Sequence, residues 1–337
     1  MKEIALEKVG RFSIGQAEDA AAATGCTVIV SPNGMPAGCD VRGGGPSSRE
    51  NQLLNPLTAA QVIHAVVLSG GSSFGLGCAD GVMRCLVERG IGLDVAVTKV
   101  PLAVQSDLFD LTVGDSDAYP DAAMGYRAAS LALDAPNYRD GNYGAGCGAS
   151  VGKIAGMETC MKTGIGSFAM EVGKLRVGAV AAVNALGDIF DPATGEMVAG
   201  VLREDKTGFR STLSLMQQSI AAVENRFVSN TTLGVVLTNA AFDKARLCKI
   251  AGMAHDGMAR TVRPVHTSAD GDSIYACSVG DLSADIDLVG VLAAEAMAQA
   301  ILRGVFASEG AYGLPAARDL PFLSDRARSY AAGRGEA

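Results

Sequence analysis

The run Ser229-Asn230-Thr231-Thr232-Leu233-Gly234-Val235-Val236-Leu237-Thr238-Asn239 sets the terms for the rest of this chain. A polar turn passes without a spacer into a β-rich, largely apolar segment, so a buried strand opens at Thr231 or Thr232. A threonine there has an ordinary structural use, because its branched carbon suits the pleat. It acquires a chemical use if the Asn230–Thr231 bond is cut. Thr231 would then hold a free α-amine beside its own hydroxyl, and an α-amine titrates at about 7.7–8. Nucleophile and general base would share one residue. The preceding residues suit such a cut. Residues 200–229 form the most polar long stretch, with Arg203-Glu204-Asp205-Lys206 and Gln217-Gln218-Ser219, and are expected to be an exposed linker.

Around this strand the 337 residues are rich in small side chains: 42 are glycine and only 5% are aromatic, although 48% are hydrophobic. That favours a layered domain with alanine and valine in its core and many close backbone approaches. A net charge of −8 without a Lys/Arg cluster argues against nucleic acid or an anionic membrane as partner. No apolar run reaches the roughly 18 residues of a membrane span. Met1-Lys2-Glu3-Ile4-Ala5-Leu6-Glu7 carries acids where a signal peptide would be apolar. Eight cysteines occur without a C-x-x-C pair, mostly among small or apolar neighbours. They are expected to be reduced core residues of a cytoplasmic protein.

Strands are expected at Thr27–Val30 and Val62–Leu68, the latter ending at Ser69-Gly70-Gly71. Helices are expected from Ser72 to Glu88 and from Asp117 to Leu133, with Pro120 tolerated in the first turn. Phe168–Val172 and Leu175–Val183 should pair as a hairpin across Gly173-Lys174. Asp243 should cap a helix with Leu247, Ile250, Ala251, Ala254 and Met258 on one face. Ser273–Val279 is a further strand, and Asp285–Arg303 a last long helix. Strands and helices fall in blocks, which fits an α+β sandwich better than a regular βαβ series.

Several stretches compete for a role. Gly71-Ser72-Ser73-Phe74-Gly75 matches G-x-S-x-G between a strand and a helix, with His255 and His266 downstream as bases. The same Gly70-Gly71-Ser72 amides could instead hold a substrate carboxylate at a helix N-terminus. His266-Thr267-Ser268-Ala269-Asp270-Gly271-Asp272 could be a metal site, a solvated turn, or a carboxylate pair tuning a nearby amine and hydroxyl. Lys153, after Gly148-Ala149-Ser150-Val151-Gly152, has little bulk around it and could be desolvated beside a reacting group. Asn184 ends an apolar run, where an amide serves as a strand cap or an oxyanion donor.

Taken together, these segments resemble the DmpA/NylC family of self-processing aminopeptidases, amidases and nylon-oligomer hydrolases. The likeness rests on Gly43-Gly44, Leu68-Ser69-Gly70-Gly71, Tyr119-Pro120-Asp121, Gly144-Ala145-Gly146, Gly152-Lys153, Asn230-Thr231-Thr232, Pro264-Val265-His266-Thr267 and Asp270-Gly271-Asp272. It runs in order along nearly the whole chain. The resemblance implies an N-terminal-nucleophile hydrolase with a four-layer α-β-β-α sandwich. Its single domain would be cut into a 1–230 α chain and a 231–337 β chain and assembled as a homo-oligomer. Carried over residue by residue, Thr231 is the nucleophile, with Lys153, Asn184, Asp270 and Asp272 as its support, as in the nylon-oligomer hydrolases. The aminopeptidase branch has serine as nucleophile, with serine and glutamate flanking the glycine of the acidic turn, and this chain departs from it at all three places. On that reading the Gly71–Gly75 segment is scaffold, the partner is a small peptide or amide, and no metal or cofactor is called for. The other readings are an acyltransferase of the ornithine acetyltransferase type and a non-catalytic small-molecule-binding protein.

Overall fold

The computed structural model describes residues 1–218 and 230–323. Two sheets carry the chain. The first has six strands in the order Lys2–Glu3, Ile165–Val172, Leu175–Asn184, Thr231–Ala240, Ser273–Leu282, Ala37–Val41. The second has five, in the order Ser13–Asp19, Thr24–Met35, Ile63–Ser69, Ala103–Asp107, Ser47–Arg49. Each sheet contains one parallel pair, Thr231–Ala240 with Ser273–Leu282 and Ile63–Ser69 with Ala103–Asp107. A parallel pair needs a crossover. The helices Lys244–Thr261 and Cys78–Glu88 supply it.

Strand alternation then builds three cores. Leu233, Val235 and Leu237 point between the sheets, where they meet Ile29, Val66, Val104 and Tyr275. Val236 points the other way, onto the helices Lys244–Thr261 and Ile286–Phe306 through Leu247, Ile250 and Ala296. On the outer face of the second sheet, Val28, Val30 and Val67 pack on Cys78–Glu88 and Ala122–Asp134 through Val82, Leu86 and Ala128. Three cores between four layers make an α-β-β-α sandwich, the architecture that the family resemblance implied. Both faces of the central strands are buried, so those strands are almost continuously apolar. At about 25 cal/mol per Å² of apolar surface removed from water, this burial is the main force holding the layers together.

Local signals account for the ends of the elements. Asp121, Asp243 and Asp285 each accept a backbone N–H three residues on, from Met124, Arg246 and Leu288, and so open the three longest helices. Where the structure differs from the sequence reading, a cause is visible. The Ser72–Glu88 helix begins as a 3-10 segment, Ser72–Gly77, and becomes α-helical only at Cys78. The Asp117–Leu133 helix starts at Ala122, because Pro120 disfavours helical backbone before it and Asp121 takes the cap. The polar 200–229 stretch is partly ordered. Val201–Leu202 pairs with Phe209–Arg210, and Thr212–Gln218 is helical. Residues 219–229 lie outside the described residues. Ile286–Phe306 is long and apolar enough to cross a membrane, contrary to the sequence reading, but most of it is buried in the fold.

Candidate active site

Three strand ends of the first sheet meet at one edge. Leu175–Asn184 runs antiparallel to Thr231–Ala240, so it ends where the other begins, with Asn184 opposite Thr231. Ser273–Leu282 is parallel to the Thr231 strand, so the Asp270-Gly271-Asp272 turn arrives at the same edge. The parallel pair of the second sheet delivers Asp107 and the Gly70-Gly71-Ser72 turn in the same way. A cavity of about 80 Å³ lies there, lined by Gly45, Ser47, Ser72, Asp107, Phe109, Asn230, Thr231, Ser268 and Ala269.

Thr231 lines this cavity and Thr232 does not, because strand alternation turns their side chains to opposite faces. The Thr231 hydroxyl donates to the Asn230 carbonyl oxygen at 2.5 Å. The same oxygen accepts the Gly271 N–H at 2.8 Å, and Asn230 bridges to Asp270 in parallel. Glycine is required at 271, since a Cβ there would lie 2.6 Å from the Thr231 hydroxyl oxygen. Asn184 is fixed on both sides of its amide. Its Oδ1 accepts from Lys153 Nζ at 2.6 Å and from the Ser150 N–H at 3.1 Å, and its Nδ2 donates to the Phe109 carbonyl at 2.9 Å. Lys153 also donates to the Asn184 carbonyl at 3.2 Å. Asp272 Oδ1 accepts the Thr232 N–H at 2.7 Å, while its Oδ2 takes the His266 N–H and Nδ1–H. Asp270 Oδ2 accepts from the Thr267 N–H and hydroxyl at 2.7 and 2.6 Å.

Burial brings two of these groups toward neutrality from opposite sides. Desolvation lowers the Lys153 ammonium to about 7, against the attraction of Cys160, Asp270 and Asp110. Desolvation, then the charge of Asp272, raises Asp270 to about 6, against its hydrogen bonds from Thr267 and Leu186. An amine and a carboxyl group that both exchange protons near neutral pH therefore sit beside a buried hydroxyl. Two more carboxyl groups lie close by, both raised chiefly by burial. Asp110 is held by Gly71 N–H and Thr24, and Asp107 by Ser69 and Gln105. Asp107 Oδ2 has no hydrogen-bond partner among the described residues.

The structure thus brings Lys153, Asn184, Asn230, Thr231, Asp270 and Asp272 to one edge. It treats Gly70, Gly71 and Ser72 differently. Their N–H groups already donate to the Gly25 carbonyl, Asp110 Oδ1 and the Leu108 carbonyl, so they offer no amide cradle for a substrate carboxylate. Only the Ser72 side of that turn borders the cavity. The nucleophile-elbow reading also gives way, since Ser73 contacts Ser47 while His255 and His266 meet each other edge-on elsewhere. Sequence reasoning passed over Gly271 as a donor, along with Asp107, Ser150 and Phe109. The glycine between two aspartates was the available signal for Gly271. Nothing local marks the others.

The Peptidase family S58 model matches residues 6–317. The chain belongs to this family. Among its relatives, an uncharacterized aminopeptidase of Mycobacterium bovis is 36% identical over 321 residues, covering 88% of this chain and 90% of that protein. A 6-aminohexanoate-oligomer endohydrolase of Agromyces sp. is 31% identical over 306 residues, covering 86% and 82%. In fold, this S58 member is similar to the l-aminopeptidase d-Ala-esterase/amidase of Ochrobactrum anthropi, described as a variant of the Ntn hydrolase fold. The TM-score is 0.68 at 16% identity, covering 98% of this chain and 93% of that one. A Burkholderia sp. beta-aminopeptidase matches with a TM-score of 0.66 at 17% identity and the same coverage. The S58 membership and these relatives make the chain a hydrolase of peptide or other amide bonds with an Ntn-type fold.

Proposed function

We propose that the chain cuts itself between Asn230 and Thr231, and that the new N-terminal Thr231 then hydrolyses small amides through an acyl-enzyme. One observation carries this reading. In the intact chain the Thr231 hydroxyl lies 2.5 Å from the Asn230 carbonyl oxygen, and that oxygen also receives the Gly271 N–H. A nucleophile is thus held against the bond to be broken, whose carbonyl is already polarised.

In the precursor, Thr231 Oγ1 attacks the Asn230 carbonyl carbon and its proton passes to a neighbouring base. Lys153 and Asp270 are the groups here whose proton affinity lies near neutrality. The Gly271 N–H stabilises the oxyanion, a contribution of about 3–4 kcal/mol per donor. The base returns that proton to the Thr231 nitrogen as collapse breaks the C–N bond, leaving a free α-amine and an ester on Oγ1, which water hydrolyses to free the Asn230 carboxylate and the hydroxyl. The freed α-amine then serves as base for the same hydroxyl. A substrate acyl group would take the place of Asn230, with its carbonyl oxygen toward Gly271. Asn184 is better suited to orienting Lys153 than to acting as the main oxyanion donor, because its Nδ2 donates to Phe109 and its Oδ1 binds Lys153.

An amide with a free amino group near the scissile bond fits the aminopeptidase name of the M. bovis relative.

The test is a denaturing gel with intact mass on purified protein. Two fragments dividing at Thr231 are expected, and a single unprocessed, inactive chain for Thr231→Ala. A new N-terminus at any other residue, or amidase activity in Thr231→Ala, would falsify the reading.

A further inference from the structure

The sequence offers His266 as a base for Ser73 or as a metal ligand, and the fold puts it to neither use. Its backbone N–H donates to Asp272 Oδ2 at 3.1 Å, and its Nδ1 lies 2.8 Å from the same oxygen. Facing a carboxylate, Nδ1 must carry the proton and donate it. The other oxygen, Oδ1, accepts the Thr232 N–H at 2.7 Å. Asp272 is therefore clamped by one residue through two bonds and grips with its free end the peptide joining Thr231 to Thr232.

We propose that His266 is a positioning residue of this centre, which holds the Asp272 side chain oriented so that the backbone bearing the nucleophile stays in place. The inference rests on the Thr231 reading above. The residue type follows from two demands met together. His266 has φ +57, a left-handed backbone that among non-glycine residues favours asparagine, aspartate and histidine. Of those, only histidine and asparagine can present an N–H to a carboxylate.

The surroundings keep the clamp simple. The groups facing His266 are Asp272 in its own loop, Asp270, whose charge couples to Asp272, and His255 from the helix Lys244–Thr261. The His255 ring stands edge-on with centroids 4.7 Å apart, and its Nε2 lies 3.0 Å from the Asp40 carbonyl, with Arg42 beyond. Burial lowers His255 to about 4, so it is neutral and adds no charge to the pair. Without the Nδ1–H, Oδ2 would keep only the His266 N–H among the described residues, and the carboxyl group would be less firmly turned toward the Thr232 N–H.

His266→Asn and His266→Asp separate this role from a purely conformational one, because both accept the left-handed backbone and only one donates. Processing, kcat, KM, the pH profile and Tm are measured on each, with wild type and Thr231→Ala alongside. His266→Asn should stay within about threefold of wild-type kcat. His266→Asp should lose about 10–100-fold in kcat with KM little changed, the scale usual for supporting partners. Its self-processing should slow as well, because the peptide joining Thr231 to Thr232 loses its fixed acceptor. If His266→Asp fails to fold, His266→Gly makes the same comparison without backbone strain. Equal losses in both variants, or wild-type kcat in His266→Asp, would overturn the inference. A wild-type chain that stays intact, or a Thr231→Ala chain that hydrolyses amides, removes the nucleophile reading and this one with it. A processed, active wild type with an unimpaired His266→Asp removes this one alone.

Discussion

Lys153 and Lys162 lie in the same Gly-rich region, and burial lowers both ammonium groups to about 7. Their partners differ in kind. Lys162 is fully buried and donates to the carbonyls of Gly146, Ala149 and Thr163. Three backbone acceptors match the three protons of an ammonium, so Lys162 acts as a clasp on the loop it crosses. Lys153 donates to the side chain and carbonyl of Asn184, the residue opposite Thr231, and feels the charge of Asp270 in addition to that of Asp110, which reaches Lys162 as well. A depressed lysine pKa therefore does not mark chemistry by itself. What marks it is whether the ammonium faces its own loop or the groups around a nucleophile. The two are also linked. Ser150 pairs with Lys162 in a short ribbon, and the Ser150 N–H donates to Asn184 Oδ1, so the clasp supports the loop that holds the amide.

Substitution can break or sharpen this contrast. The largest effect is expected for Lys153→Met, which removes the charge beside Asn184 and Asp270. Turnover of processed enzyme should fall about 10²–10³-fold, as for loss of an electrostatic stabiliser, with little change in Tm. Lys162→Met should do the reverse. Activity per folded molecule should stay near wild type, while three buried carbonyls lose their donor and stability drops by roughly 3 kcal/mol or more in urea unfolding. Should Lys162→Met lose turnover while staying as stable as wild type, the distinction would be inverted.

The last effect concerns pH. Asp270 is raised to about 6 in the fold, above the unfolded carboxyl value of about 3.9. The native state thus binds more protons between these values, and its stability falls as pH rises through that window. Asp270→Asn should remove that slope, gaining on the order of 1–3 kcal/mol relative to wild type between about pH 4 and about pH 7. Parallel stability profiles for the two proteins would show that Asp270 is not the group titrating there.

The elements with local signals are legible in the sequence. Asp243 and Asp285 announce their helices because a cap needs only the next three residues, and Leu175–Asn184 pairs with Ile165–Val172 across a tight turn. The start of the strand at Thr231 is equally local, since a polar turn meets a β-branched run. Only Lys153 follows a run of small residues, and nothing local says which of the two lysines meets Asn184. Gly271 as a donor and Asp107 at the cavity are likewise silent, because each matters only through what another strand brings to it.

The sequence by itself determined the layers, since alternation, caps and turns act over a few residues and burial rewards them wherever they fall. It also placed Thr231 at a strand mouth behind a polar turn. The tertiary structure alone decided that Asn184, Thr231 and the acidic turn share one edge, because strand direction in a sheet is set by crossovers through distant helices. It alone decided which buried charge faces a clasp and which faces a hydroxyl, because desolvation and partner geometry exist only after the layers have packed.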